Sequence, residues 1–170
     1  MVAVAGIGLS PLARTFLIAH VGMAVIMVGT GYVYPILLGN MKERGAGRIP
    51  LTRVAKTIAR GFTMPFLVIQ PLTGLGLILT THNLWNPFHA TNRWLFAAIV
   101  LFVAIFLLDT FLSAPLIRRM AALAESGSFD DPEFDKHLTK LSKFGPLIGL
   151  LFIAIVVLMV WKPGSGVVHF

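Results

Sequence analysis

The sequence contains no cysteine and few charged residues, and both shortages limit what the protein can be. Without cysteine, the chain forms neither disulfides nor thiolate metal sites. Only 12% of its 170 residues are charged and 56% are hydrophobic, whereas about 25% of the residues of a soluble domain are charged. That leaves too little polar surface to cover a globule in water. The apolar residues must therefore face lipid, which excludes a soluble enzyme.

Sequence motifs of common enzyme chemistry are missing as well. The chain has no nucleophile motif, phosphate-binding loop, dinucleotide fingerprint or His-x-x-x-His pair. Its formal net charge of +7 raises the question of nucleic-acid binding, but no aromatic residues alternate with the basic ones as a stacking platform would require. The sequence predicts no nucleic-acid partner and favours a non-enzymatic role. The first apolar run is too long for a secretory signal, so we expect no cleaved leader.

Four long apolar runs dominate the chain. They cover residues 15–38, 61–81, 94–116 and 144–161. Each is close to the ~20 residues that a helix needs to cross ~30 Å of hydrocarbon. Backbone amides in lipid must be satisfied within their own segment, so such runs predict helices. The predicted fold is all-α, a four-helix transmembrane bundle that forms a single membrane domain over residues 1–170.

The basic residues predict how this bundle is oriented. Of the 14 Lys and Arg residues, six lie in the connecting segment 39–60, five in the segment 117–143, and three elsewhere (Arg14, Arg93 and Lys162). The positive-inside rule places such basic segments in the cytoplasm. We therefore expect a multi-pass protein of the inner (cytoplasmic) membrane with both termini on the outer (periplasmic) side.

The first connecting segment has an amphipathic pattern. Four apolar residues recur at helical spacing beside three basic ones: Leu51, Val54, Ala55 and Ile58 beside Arg53, Lys56 and Arg60. This pattern predicts a short basic helix lying on the inner leaflet and binding its anionic lipids.

The second connecting segment is acidic at its centre. Its residue types could hold a metal ion: Asp130, Asp131, Glu133, Asp135 and His137. However, Asp131 followed by Pro132 and Glu133 is typical of a capped helix start. We favour a capped helix that leads into the fourth run.

Ionisable residues inside the apolar runs need an explanation, because a charge in hydrocarbon costs several kcal/mol. His20 is one, roughly 9 Å below the outer surface at 1.5 Å per residue. A neutral imidazole can ligate haem iron or copper, or it can donate a hydrogen bond to a neighbouring helix. His82, at the end of the second run, is the histidine best placed to approach His20. Together they could form a bis-imidazole haem site near the outer face.

Asp109 is the second ionisable residue, about fifteen positions into the third run. Thr30 and Gln70 lie at a similar estimated depth, and a carboxyl held by Thr, Gln or Tyr neighbours is tolerable there. Asp109 is a candidate proton or cation site, or a polar contact between helices. Its depth differs from that of His20 by ~13 Å, so we do not expect the two to pair.

Copper is an alternative to haem as the group bound by residues of the first run. Met23 and Met27 are one helical turn apart, with His20 near the same face, and thioethers with imidazole suit copper(I). Methionine is also ordinary filler in apolar bundles.

Several short motifs resemble a known family. The segment Phe16-Leu-Ile-Ala-His20-Val-Gly, then Gly29-x-Gly31 and Tyr34-Pro35, resembles the first helix of a superfamily of small bacterial membrane proteins. The motifs of the later runs are similar to the predicted integral membrane protein family catalogued as domain of unknown function 2269: Thr63-Met-Pro65, Gln70, Thr73-Gly74, and Leu158-Met-Val-Trp161-Lys-Pro163. That family has no established activity.

The wider group that the chain resembles includes copper-resistance D-type membrane proteins and J-type protoporphyrinogen oxidases. In the oxidases a first-helix histidine resembling His20 is implicated in binding b-type haem, together with a lysine of a later helix. The resemblance implies haem b at His20. This sequence has no lysine within its four apolar runs, so the second ligand does not carry over.

Three classes of function therefore stay open. The first is a haem-b-binding or redox-associated membrane protein with His20 and His82 as ligands. The second is a copper-handling or ion-translocating protein that uses His20, Met23 and Met27, with Asp109 as a proton site. The third is an accessory or assembly subunit without a cofactor, bound to a membrane complex or to a second copy of the chain.

Overall fold

The computed structural model of the chain describes residues 10–81, 89 and 92–163. Within these residues the secondary structure is entirely helical: α1 (Pro11–Asn40), α2 (Arg48–Ile58), α3 (Met64–Thr80), α4 (Arg93–Leu108), α5 (Ala114–Glu125) and α6 (Pro132–Trp161). Two π-helical segments, Ala59–Thr63 and Asp109–Ser113, join α2 to α3 and α4 to α5 without a break. This part of the chain thus forms four helices long and apolar enough to cross a membrane. The predicted four-helix transmembrane bundle is confirmed.

The helices extend beyond the apolar runs that predicted them. The second long helix begins at Arg48, the third continues to Glu125, and the fourth begins at Pro132. The segments 39–60 and 117–143 are therefore mostly helical, and the connections reduce to residues 41–47 and 126–131. Hydropathy marks where hydrocarbon ends, but backbone hydrogen bonding continues wherever an amphipathic face has a partner to pack against.

The basic segment around Arg53 is helical, as predicted, but it is not a separate helix on the leaflet surface. It is α2, which continues through the π segment into α3 and packs against α5. Thr52 and Ala55 are buried by this packing, and Lys56 pairs with Glu125 of α5 at 2.9 Å. Ala55 of the segment thus packs against protein, whereas Val54 remains 45% exposed.

The bundle buries few of its apolar side chains, and many of them are exposed on its outside. In the membrane part α3 packs on α1, α1 on α6, and α6 on α4, while α2 packs on α5 at the basic end. Side chains such as Ile18, Phe111 and Val160 are 74–78% exposed. Burial of such groups in lipid is favourable, whereas their exposure to water is not. This outward distribution is the one expected of a bundle surrounded by hydrocarbon.

Proline explains the two π-helical segments. Pro65 and Pro115 each stand two residues after a π segment. Proline has no N–H, and its ring clashes with the carbonyl four residues earlier. The residue before each proline bonds instead to the carbonyl five residues back, Met64 to Ala59 and Ala114 to Asp109. Such one-turn widenings occur frequently at functional sites.

Arg48 closes the basic end of the bundle. Its side chain is almost fully buried, and its guanidinium lies over the ring of Phe134, 4.7 Å from the centroid. It donates hydrogen bonds to five groups of the two connections and α6: the carbonyls of Met41 (2.9 Å), Lys42 (3.5 Å), Glu43 (3.1 Å) and Phe129 (2.7 Å), and the carboxylate of Asp135 (2.8 Å). A residue that the sequence presented only as an orienting charge thus holds both connections together.

The acidic segment is used for capping and ion pairing. Asp131 accepts the Glu133 N–H at 2.7 Å, so the predicted capped start of the fourth helix is confirmed. Asp130 accepts the Gly45 N–H at 2.9 Å, and Asp135 also pairs with Arg44 at 3.0 Å. The residues that the structure describes contain no group of three or more His, Asp or Glu placed to hold a metal ion. Desolvation opposes the charge of Asp135, but the hydrogen bonds and charges of Arg48 and Arg44 outweigh it and lower its pKa.

Candidate functional site

His20 lies in the interface between α1 and α3, with both ring nitrogens near polar groups of α3. Its Nδ1 is 3.0 Å from the Thr73 hydroxyl, and its Nε2 is 3.2 Å from Nε2 of Gln70. The Gln70 amide also donates to the His20 carbonyl at 3.2 Å. The histidine is therefore the centre of a polar contact between two membrane helices.

The geometry of this contact fits a neutral imidazole. The Thr73 hydroxyl donates to the Gln70 carbonyl at 2.9 Å, so its oxygen can accept the Nδ1–H of His20. The Nε2 lone pair then accepts one N–H of the Gln70 amide, whose other N–H reaches the His20 carbonyl. Both ring nitrogens of His20 thus have partners, which makes the neutral imidazole tolerable in lipid. Among the described residues, the side-chain carbonyl oxygen of Gln70 is buried without a partner.

Haem does not fit His20 as the residues stand. A haem iron needs the Nε2 lone pair, which faces the Gln70 amide, and a slot as wide as the porphyrin beside it. The α3 backbone approaches the imidazole closely instead, since a Cβ added at Gly74 would lie 3.2 Å from Cε1 of His20. His82, the predicted second ligand, lies outside the described residues. The haem prediction stays a prediction that the described geometry does not favour.

The predicted copper ligands are also not brought together. Met27 is buried against Leu67 and Ile105 at the centre of the bundle. Met23 is half-buried, and the His20 ring points towards α3. Copper binding likewise stays a prediction without a described site.

Asp109 lines a cavity of about 50 Å³ between the four helices. Four hydroxyl-bearing residues share its wall: Thr30 and Tyr34 of α1, Thr63 at the end of one π segment, and Ser113 at the end of the other. The other described residues of the wall are glycines and apolar side chains, and none of them is Lys, Arg or His. A cavity of this size has room for roughly three water molecules.

Few of these polar groups have protein partners. Among the described residues, Asp109 has neither a hydrogen bond to its carboxyl group nor an ion pair. The Tyr34 hydroxyl reaches the Ala55 carbonyl at a long 3.4 Å and lies beside the Thr63 hydroxyl. That second contact falls short of a hydrogen bond, so Oγ1 of Thr63 is buried without a partner. Thr30 is satisfied within its own helix, by the Met27 carbonyl at 2.9 Å.

An apolar layer separates this cavity from the His20 contact. Met27, Leu67 and Ile105 are at most 4% exposed and form its centre. Gln70, which the depth estimate grouped with Asp109, instead bonds to His20, because it stands seven residues beyond Thr63, or roughly 10 Å along the helix. Thr30 does line the Asp109 cavity, as its estimated depth suggested.

The sequence supplied part of this site. A Thr or Tyr neighbour of Asp109 was expected by residue type, but Tyr34, Thr63 and Ser113 could not be assigned from depth alone. The sequence does contain a feature that these three residues share. Each of them precedes a proline by one or two residues: Pro35, Pro65 and Pro115.

Comparison with known proteins agrees with the fold and adds no activity. Residues 14–163 match a family described as predicted integral membrane protein (DUF2269). No curated protein and no solved structure matches the chain significantly. The matched segment contains all four long helices except the first three residues of α1. The chain therefore belongs to the predicted integral membrane protein family DUF2269.

Proposed function

We propose that this membrane protein handles ions, and that Asp109 binds and releases a proton inside the helix bundle. The observation that carries the proposal is the carboxyl of Asp109, which faces a cavity that offers it hydroxyl groups but no counter-charge. Asp109 is also the only acidic residue in the four apolar runs. Intramembrane ionisable residues that face a bundle interior are typical of ion pathways and proton relays.

The cost of burying this carboxyl supports a proton-exchanging role. An ionised carboxylate with neither a partner nor water is strongly disfavoured in a low-dielectric interior. A proton, water or a cation must therefore compensate it. The cavity offers room for water, and hydroxyls such as that of Tyr34 both donate and accept hydrogen bonds.

Apolar layers on both sides of the cavity support a gated site. Met27, Leu67 and Ile105 lie on the side of His20. Leu38, Ile117 and Leu141 line the cavity and belong to the apolar cluster of the basic end. Access from either surface then requires side chains or helices to move, as alternating access does.

Proton flux into liposomes tests the proposal. The purified protein is reconstituted with a pH-sensitive dye inside, and a potassium diffusion potential drives protons inward. The wild type is expected to acidify the interior faster than protein-free liposomes, and Asp109→Asn is expected to fall to their leak rate. Glu125→Gln, the same change at an exposed carboxyl of α5, serves as the control and is expected to retain the flux.

Infrared spectroscopy provides a second readout that does not depend on transport. The carboxylic C=O band that disappears in Asp109→Asn should rise and fall with pH in the wild type. A band that stays constant over the whole range in which the protein is folded, together with flux equal to the leak, would reject the proposal. Asp109 would then be a fixed polar contact, and copurification with a larger complex would favour the accessory-subunit hypothesis.

Haem and copper are tested by the absorption spectrum and metal content of the same preparation. A Soret band lost in His20→Ala would support haem b, and retained copper lost in Met23→Leu and Met27→Leu would support copper.

We further propose that the basic end faces the cytoplasm of a cell whose inner membrane holds the protein. Arg53 and Arg60 are exposed on the outside of the second long helix and are available to anionic headgroups. Lys56 is already paired with Glu125 and contributes less.

A further inference from the structure

The four long helices each carry a proline at the level of the cavity. The residue that precedes the proline by one or two positions lines the cavity in every case: Tyr34 before Pro35, Thr63 before Pro65, Ser113 before Pro115, and Gly145 before Pro146. Two of these helices widen into π segments before their proline, and α1 and α6 continue as α-helices through theirs.

Each proline leaves backbone oxygen without its usual helical partner. A proline cannot donate to the carbonyl four residues earlier, and these carbonyls belong to Gly31, Gly61, Phe111 and Ser142. Of these four residues, only Gly31 is among the described residues that line the cavity, so one such carbonyl is available to it. In membrane transporters, backbone carbonyls released where helices are interrupted coordinate Na⁺ or protons.

The side chains of the cavity are oxygen donors as well. One carboxyl group and four hydroxyl groups share the wall, and oxygen is the ligand atom that hard cations prefer. The Thr63 hydroxyl oxygen is buried with no hydrogen-bond partner. A buried hydroxyl without a partner costs about 1–3 kcal/mol, so a ligand that engages it would be stabilised.

The charge of the wall selects a monovalent cation. Among the described residues of the lining, Asp109 is the only carboxylic acid, and none is Lys, Arg or His. A monovalent cation would leave the cavity neutral, whereas a divalent cation would leave an uncompensated positive charge in the bundle. Calcium sites normally supply six to eight oxygen ligands with several carboxylates. The volume of about 50 Å³ suits a small ion with one or two waters.

We infer that the cavity bounded by Asp109, Thr30, Tyr34, Thr63 and Ser113 is a binding site for Na⁺, which competes there with the proton. The inference rests on the proposed role of Asp109 and adds a second ion to it. Na⁺ and H⁺ then occupy the same carboxyl in turn. The protein would couple the movement of one ion to that of the other.

The infrared titration of the Asp109 band in liposomes tests the inference directly. It is measured in NaCl and in choline chloride at equal ionic strength. If Na⁺ competes, the pH at which the band appears falls by about one unit for each tenfold rise in NaCl above the apparent Kd. Choline is too large for the cavity and should have no effect, and KCl should have less effect than NaCl.

Thr63→Val and Thr57→Val form a matched pair for this titration. Both remove a threonine hydroxyl from the second long helix, but Thr63 lines the cavity and Thr57 is exposed. Thr63→Val is expected to weaken Na⁺ binding about tenfold, the loss of one bond to a charged group, while Asp109 still titrates. Thr57→Val should behave like the wild type.

The outcomes separate the two proposals. A band that titrates with pH and ignores NaCl would overturn the Na⁺ site and leave the proton site intact. A band that does not titrate in choline chloride would overturn the proposed function itself. An equal loss of Na⁺ affinity in Thr63→Val and Thr57→Val would show that the hydroxyl of the cavity is not a ligand.

Discussion

The Arg48 guanidinium and the Asp135 carboxylate lie 2.8 Å apart, although 87 positions separate them in the sequence. Their contact joins the start of the second long helix to the start of the fourth. The arginine side chain is 1% exposed and that of the aspartate 32%, so the pair is buried on one side only. Around it the carbonyls of both connections converge on the guanidinium, which makes Arg48 the centre of the basic end.

Arg48→Met should destabilise the protein strongly. The change removes the buried guanidinium, so that several carbonyls lose their donor and Asp135 keeps only Arg44. Each buried carbonyl left without a partner costs about 1–3 kcal/mol. Arg44→Met is the matched control, because Arg44 binds the other oxygen of the same carboxylate with a side chain 68% exposed. An exposed pair contributes less than about 1 kcal/mol. Thermal unfolding in detergent measures both, and equal losses would contradict the central role of Arg48.

The Arg48–Asp135 contact should also make stability depend on pH. The pKa of Asp135 is lowered below its ordinary value of 3.8, so the folded state favours the charged form. The resulting stabilisation is fully present above that ordinary value and is lost as pH falls through the lower pKa of the folded protein. The melting temperatures of wild type and Asp135→Asn should therefore converge below about pH 3.8. In an Arg48→Met background the difference should be smaller, because only Arg44 still favours the charged form. A wild-type difference that does not change with pH would exclude this linkage.

The four membrane helices were predictable because lipid imposes one requirement along the whole of each run. Composition alone does not show where each helix ends. Beyond the hydrocarbon a helix need not be apolar, and packing against other helices stabilises it instead. The stretch from Arg48 to Arg60 is polar enough to read as a connection, yet it is helical because Thr52 and Ala55 fit against α5. The spacing of its apolar residues predicted a helix there, but only the pairing of α2 with α5 shows what that helix packs against.

The candidate sites, like the helices, could be predicted only in part. Sequence identified His20 and Asp109 because ionisable groups in apolar runs are conspicuous. The sequence could not identify the residues that contact them. An estimate of depth does not say which way a side chain points around the helix axis, and each π segment adds an error to the depth. Gln70 was thus grouped with Asp109, whereas it bonds to His20. Tyr34 and Thr63 emerged only when the helices were placed side by side.

A double-mutant cycle measures the contact between His20 and Gln70. His20→Ala, Gln70→Ala and the double variant should show a coupling of about 0.6–1.7 kcal/mol in thermal unfolding, the range of polar contacts between membrane helices. Met23→Ala combined with Gln70→Ala is the control cycle and should be additive, because Met23 is half-buried on the same helix and its thioether is only a weak hydrogen-bond acceptor. Strict additivity in the His20 cycle would show that the bonds contribute nothing to folding.

The close approach of α1 and α3 depends on Gly76. A Cβ added there would lie 2.5 Å from the Phe16 ring, so Gly76→Ala should destabilise the protein by about 1–3 kcal/mol. Phe16→Leu in the same background should recover part of the loss by making space. At Gly22 nothing lies within 4 Å of the added Cβ, and Gly22→Ala is expected to be neutral or stabilising. Similar effects of both alanines on thermal unfolding would mean that the helices are further apart.

Because the sequence contains no cysteine, the orientation in the membrane can be tested by labelling single introduced cysteines. Single cysteines are introduced at exposed positions of the two ends: Glu43 and Ser126 at the basic end, Leu12 and His89 at the other. The positive-inside rule expects a membrane-impermeant maleimide to label Leu12→Cys and His89→Cys in intact cells. Glu43→Cys and Ser126→Cys should react only after the membrane is opened. The reverse pattern would place the basic end outside, and Arg53 and Arg60 would then have no inner-leaflet lipids to bind.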